Sequence, residues 1–306
     1  MATKKLMICV VLWAVFFAHG AVAQTVTKKI RVNGAELHYV DQGTGVAVIF
    51  VHGGLDDYRV WQGQMEPFSK SYRTIAYSRR YNYPNPRVTP RADYSAAVDA
   101  DDLAALIRTL KLGPAHIVGV SFGAFVALLL AERHPELVRS LVLSEAPLLP
   151  WLNQMDGGKP LYTEFMSTVW EPATRGFRVS DEAGVKAAVD GFGELGYSGT
   201  DQKMTFATLP PEFRSSVLDN ALEWRALTLS TEQFPSLTQE AVKRIKTPTL
   251  LLSGERSMKL ADMIDGRLEK LLPHGERIIL KSATHEMWNE YPAECRSAAM
   301  GFLAKH

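Results

Sequence analysis

Two periodicities of apolar residues alternate along this chain, and the points where one gives way to the other mark out its elements. Lys28 to Val32 and Glu36 to Val40 alternate apolar and polar positions on either side of Asn33-Gly34, a pair that accepts the positive φ angles of a two-residue hairpin turn. Two antiparallel strands are expected there. Val46 to Val51 is instead a continuous apolar run, as in a strand buried on both faces, and it ends in the loop His52-Gly53-Gly54-Leu55-Asp56-Asp57. A helix about Arg59 to Phe68 comes next, then a strand from Tyr72 to Tyr77 that closes in a Pro- and Asn-containing loop, Ser78 to Pro86. Ser95 to Leu110 has helical spacing and stops at Gly113-Pro114.

From Ala115 a β-branched run leads into Gly119-Val120-Ser121-Phe122-Gly123, and an alanine- and leucine-rich segment follows as far as His134-Pro135. The local pattern is strand, tight turn, helix. Leu137 to Leu143 reads as the sixth strand and runs into Ser144-Glu145-Ala146-Pro147. Residues 148–228 change to amphipathic helices, with start signals at Pro160, Ser180-Asp181-Glu182 and Pro210-Pro211-Glu212 and no strand pattern, which predicts an inserted helical cap. Thr247 to Gly254 returns to the sheet, followed by a helix from Asp262 to Leu272, a last strand from Arg277 to Lys281 and a terminal helix from Pro292 to Ala304. Strands alternating with helices, led by a hairpin, predict an α/β fold: a mostly parallel eight-stranded sheet flanked by helices, with core segments 24–147 and 229–306 around the cap.

Composition changes this picture only at the start of the chain. The 306 residues are 46% hydrophobic and 22% charged with a net charge of +1, so one sizeable core is expected, and the lack of a basic stripe makes nucleic acid an unfavourable partner. Residues 1–23 stand apart. Lys4 and Lys5 precede the apolar run Leu6 to Ala18, and Ala21-Val22-Ala23 gives a small-x-small cleavage signal before Gln24, the pattern of a secretory signal peptide and of export to the periplasm or medium. The competing reading, an uncleaved anchor, is disfavoured because the run is shorter than the ~20 residues needed to span a bilayer. Removing the segment would also remove Cys9, leaving Cys295 as the only thiol, with no internal disulfide to form. Cys295 is expected to pack in the last helix.

The candidate chemistry centres on Ser121. Gly119 and Gly123 permit a sharp strand-to-helix turn, which raises the serine hydroxyl above a parallel sheet with the N-terminus of the next helix behind it. The unpaired N–H groups at that terminus favour an oxyanion. None of His38, His116, His134 and His274 has the paired spacing of a metal site, and neither metal nor cofactor is expected. Arg79 and Arg80 are read as part of a solvated loop, with binding of an anionic substrate group as the alternative, and Glu223 and Arg225 as an exposed helix face. Trp170, Phe192, Tyr197 and Trp224 are among many aromatics in the cap, pointing to a mainly apolar pocket for a small-molecule substrate.

These features resemble the α/β-hydrolase family across essentially the whole chain after residue 23. His52-Gly53-Gly54 resembles its oxyanion loop, with His52 as a brace, Gly119-Val120-Ser121-Phe122-Gly123 its nucleophile elbow and Ala283-Thr284-His285 its histidine loop. The resemblance implies a cofactor-free hydrolase in which Ser121 attacks, His285 moves protons and the backbone N–H groups of Phe122 and of Gly54 or Leu55 hold the oxyanion. Relatives that open alkyl halides or epoxides use an aspartate nucleophile, whereas a serine ether could not be hydrolysed, so acyl transfer is implied here. One departure concerns the acid that should orient His285. The family's usual Gly-x-x-Asp after the seventh strand is Gly254-Glu255-Arg256-Ser257 in this chain, and Glu145, after the sixth strand, is the favoured substitute, as in a branch that includes some haloalkane dehalogenases. Glu255, Asp262 and Asp265 are the other candidates. The missing aspartate also supports a non-catalytic binding protein on the same fold, and a perhydrolase or carbon–carbon bond hydrolase would share these residues. The expected substrate of the favoured reading is a small or medium, mainly apolar ester.

Overall fold

The first two alternating segments pair as a hairpin: β1 (Lys28–Val32) and β2 (Ala35–Gln42) run antiparallel, with Val32 opposite Ala35 across Asn33 and Gly34. Those two residues have φ of 46° and 77°, as the tight turn requires. The computed structural model describes residues 26–197 and 204–306. The expected signal peptide, residues 1–23, lies outside the described residues.

Six further strands complete one sheet: β3 (Ala47–Val51), β4 (Arg73–Tyr77), β5 (Ala115–Val120), β6 (Val138–Ser144), β7 (Thr249–Gly254) and β8 (Gly275–Leu280). Their order is β1-β2-β4-β3-β5-β6-β7-β8, and every pair from β4 onward is parallel. All five residues of β3 are buried because helices cover both faces of the sheet. Val48 and Phe50 point to α1 (Gln62–Ser69) and to the helix at the chain's end, while Ile49 and Val51 point to α2 (Ala96–Thr109) and α3 (Phe122–Arg133). Residues 123–131 of α3 are buried without exception, so this helix is apolar all round and not amphipathic.

Between β6 and β7 the described residues contain helices and no strand: α4 (Gly158–Phe165), a π-helical turn (Met166–Trp170), α5 (Glu171–Phe177), α6 (Asp181–Glu194), α7 (Pro211–Asp219), α8 (Ala221–Thr228) and α9 (Gln239–Val242). Ser180 caps α6 as its sequence signal suggests, its hydroxyl accepting from the Ala183 N–H at 3.0 Å. After β7 come α10 (Lys259–Leu271), β8, the short α11 (Met287–Glu290) and α12 (Pro292–Leu303). Cys295 is buried in α12, where burial pushes its thiol up to about 12. No described helix is long and apolar enough to cross a membrane.

The parallel register fixes what meets at the carboxyl edge of the sheet. Val51 pairs with Gly119 and Val120 with Ser144, so His52, Ser121 and Glu145 leave adjacent strands at one level. Gly254 ends β7 opposite Leu280, which brings the loop holding His285 to the same edge.

Candidate active site

Ser121 occupies a strained position that its neighbours enforce. Its φ of 51° and ψ of −122° lie outside the regions open to most residues, and its N–H is pinned to the Ser144 carbonyl at 2.7 Å. A Cβ on Gly123 would sit 2.3 Å from the Val51 carbonyl oxygen, so α3 can approach β3 this closely only because residue 123 is glycine. The Ser121 side chain, which makes no hydrogen bond among the described residues, faces a cavity that Glu145 and His285 also line.

His285 is oriented through its Nδ1, which hydrogen-bonds to Glu145 Oε2. That carboxylate accepts two further bonds, from the Ser257 hydroxyl at 2.6 Å and from the Gly254 N–H at 2.9 Å. Ser257 is the residue that replaces the aspartate of the usual pattern, so the vacated acid position supplies a donor to the carboxylate on the next strand. Sequence reasoning missed this role of Ser257 and Gly254. Burial opposes a charge on His285, but the hydrogen bond and charge of Glu145 outweigh it and hold the imidazole above its ordinary value.

None of the other carboxylate candidates reaches the imidazole. Glu255 accepts from the Ser282 N–H at 2.8 Å, and Asp262 is an exposed partner of Arg277 at 2.6 Å. Asp265 is buried and accepts from the Ser253 hydroxyl at 2.6 Å. Burial and then the charge of Glu145 push it up to about 8.

Two backbone N–H groups lie beside Ser121 without an acceptor among the described residues: that of Phe122, at the first turn of α3, and that of Gly54. The Leu55 N–H is already engaged, donating to Glu223 Oε2 at 3.1 Å. His52 lies beneath this loop. Its Nε2 accepts from the Arg79 N–H at 3.0 Å, which places the ring proton on Nδ1, and Nδ1 donates to the Gly53 carbonyl at 2.9 Å. Burial and the charge of Arg79 keep His52 well below its ordinary value, and therefore neutral.

Arg79, Arg80 and Glu223 depart from the sequence reading. The arginines are not in a solvated loop, being 0% and 8% exposed, and Glu223 is not on an exposed face but fully buried. Each charge is compensated across the fold: Arg80 by Asp102 at 2.7 and 2.8 Å, and Arg79 by Asp99 at 2.7 Å and Glu223 at 2.5 Å. Such pairing joins residues up to 144 positions apart (79 and 223), a separation that no local pattern reports.

The cavity walls are mainly apolar, with Phe165, Trp170, Phe192 and Trp224 lining them from the helices that follow β6, and the polar side chains of Asp56, Tyr197, Gln233, Glu286 and Asn289 interrupt them. Tyr197 donates to Glu286 at 2.6 Å, its ring 4.7 Å from that of His285, and the Asp56 carboxyl has no partner among the described residues. Burial, followed by the charges of Glu286, Asp57 and Glu223, pushes the Asp56 carboxyl well above the carboxylate range. No group of three or more histidine, cysteine or acidic residues suited to a metal ion occurs among the described residues.

Comparison with known proteins agrees with this architecture. The family model for the alpha/beta hydrolase fold matches residues 46–287. A 2-(acetamidomethylene)succinate hydrolase from Mesorhizobium japonicum is 24% identical over 288 residues, covering 91% of this chain and 95% of that protein. Among solved structures, an enol-lactonase from Burkholderia xenovorans superposes with a TM-score of 0.72 at 19% identity, covering 90% of this chain and 100% of that one. A carboxylesterase from Bacillus subtilis does so with a TM-score of 0.70 at 21% identity, covering 92% of each chain. At these identities the two structures speak for the fold alone.

Proposed function

We propose that this chain, which belongs to the alpha/beta hydrolase fold family and is a hydrolase of small molecules, works as a serine hydrolase on esters through an acyl-enzyme. The observation that carries this reading is the hydrogen bond between His285 Nδ1 and Glu145 within the cavity that Ser121 lines. A carboxylate on Nδ1 leaves Nε2 unprotonated, the form needed to accept the serine proton.

In the first half-reaction Ser121 Oγ attacks the ester carbonyl while His285 Nε2 takes its proton, and Glu145 stabilises the imidazolium that results. The carbonyl oxygen becomes an oxyanion facing the Gly54 and Phe122 N–H groups, and the α3 dipole adds to their field. Collapse of the tetrahedral intermediate expels the alcohol, protonated by His285. Water then repeats the sequence on the acyl-enzyme and releases the acid. The aromatic walls support an apolar acyl part, and the helices after β6 act as a cap that keeps the site dry.

The sequence supports export as well, because residues 1–23 have the pattern of a cleavable signal. The test of activity is a chain-length series of nitrophenyl esters with an organophosphonate label. Wild type should turn over and take one label at Ser121, while Ser121→Ala should do neither. A folded wild type that resists the label at Ser121 would end the serine reading. Parallel assays with peroxide and with a dienone substrate separate the perhydrolase and carbon–carbon chemistries.

A further inference from the structure

The second oxyanion donor is a single peptide N–H, and what holds that peptide comes partly from α8, among the helices that follow β6. Gly53 C=O and Gly54 N–H are opposite ends of one trans peptide, so fixing the carbonyl aims the N–H the other way. The carbonyl is held twice, by Arg79 Nη2 at 2.8 Å and by the His52 Nδ1–H at 2.9 Å. Arg79 in turn lies 2.5 Å from Glu223 Oε1, on α8, and Glu223 Oε2 accepts from the next peptide, the Leu55 N–H, at 3.1 Å. Leu55 has a φ of 60°, a conformation that a branched residue keeps only under restraint. Helix α8 also covers Gly54 directly, since a Cβ there would lie 2.5 Å from Trp224 Nε1.

We propose that Glu223 and Arg79 are positioning residues for the oxyanion loop, so that the Gly54 N–H is aimed at the reacting carbonyl only while α8 is seated against the sheet edge. The inference rests on the serine hydrolase reading. It makes the helices over the cavity part of the catalytic apparatus, because lifting α8 withdraws Glu223 from both Arg79 and Leu55. Substrate already bound would then meet a hole with one working donor.

The test compares Glu223→Gln and Glu223→Asp with Asp102→Asn, which breaks the neighbouring buried pair to Arg80 and makes no contact with the loop. The readouts are kcat and KM for a nitrophenyl ester, the rate of Ser121 phosphonylation, and Tm. Glu223→Gln should lower kcat and the phosphonylation rate together by about 10² or more, the loss typical of one oxyanion donor, with KM within about threefold. Glu223→Asp, which keeps the charge on a shorter arm, should lose about tenfold, and it carries the test if the glutamine variant does not fold. Asp102→Asn should lower Tm while leaving kcat within about threefold. A folded Glu223 variant with wild-type kcat and phosphonylation rate overturns the proposal, as does a kcat loss in Asp102→Asn equal to that of Glu223→Gln. A wild type that takes no label at Ser121 overturns the serine reading instead, so the two failures are distinct.

Discussion

Glu145 shows how much of this site depends on single side chains reaching across a strand boundary. Its carboxylate accepts from Ser257, Gly254 and His285 at once, so its removal leaves a buried imidazole with no carboxylate bonded to its Nδ1. Glu145→Gln is expected to lower kcat by about 10⁴, the loss seen when the corresponding acid of the best-studied triad becomes an amide. The pH profile follows from the same bond. Because Glu145 raises His285 above its ordinary value, the base is lost at a higher pH on the acidic side: the acidic limb of kcat/KM should lie above pH 6.5 and move down in Glu145→Gln. A limb at or below 6.5 in wild type would contradict the arrangement.

At the level of elements, the strand, turn and helix around Ser121 are held by close backbone approach. Gly123→Ala would push a Cβ to 2.3 Å from the Val51 carbonyl, where neither β3 nor α3 has a flexible end to yield. A loss of about 1–3 kcal/mol, the usual cost of overpacking, is expected from thermal or urea unfolding. Gly63 in α1 is the control, since an added Cβ meets nothing within 4 Å; Gly63→Ala should be neutral or stabilise by up to about 1 kcal/mol. Most elements could be read from periodicity, because burial on one or both faces imposes it. The continuous run ending at Val51 and the alternation about Asn33-Gly34 are the clearest cases. Element ends were less legible. The segment read as one helix from Arg59 divides into a 3₁₀ turn at Tyr58–Trp61 and α1, where Asp57 caps the turn by accepting from the Arg59 N–H at 2.9 Å.

For the whole molecule, the candidate site lies between two parts of the chain that are distant in sequence: the sheet edge and the helices after β6. Phe192 and Trp170 wall the cavity from that second part, so Phe192→Ala should lengthen the preferred acyl chain of the nitrophenyl series with kcat for the best substrate within about tenfold. An unchanged chain-length optimum would place the acyl group elsewhere. Export is tested on the full chain by fractionating the producing cells, with the product expected outside the cytoplasm and beginning at Gln24.

The sequence alone determined the α/β alternation, the strained turn that presents Ser121 and the loop bearing His285, because each is written in residues close together whose spacing reports burial or backbone freedom. It left four carboxylates competing for one imidazole and read Arg79 and Glu223 as surface charges. Tertiary structure decided those points, for a physical reason: whether a charge can be buried, and what it holds there, depends on the partner brought to within about 3 Å of it by the fold. For Glu145 that partner is His285, 140 residues away, and for Arg79 it is Glu223, 144 residues away on α8.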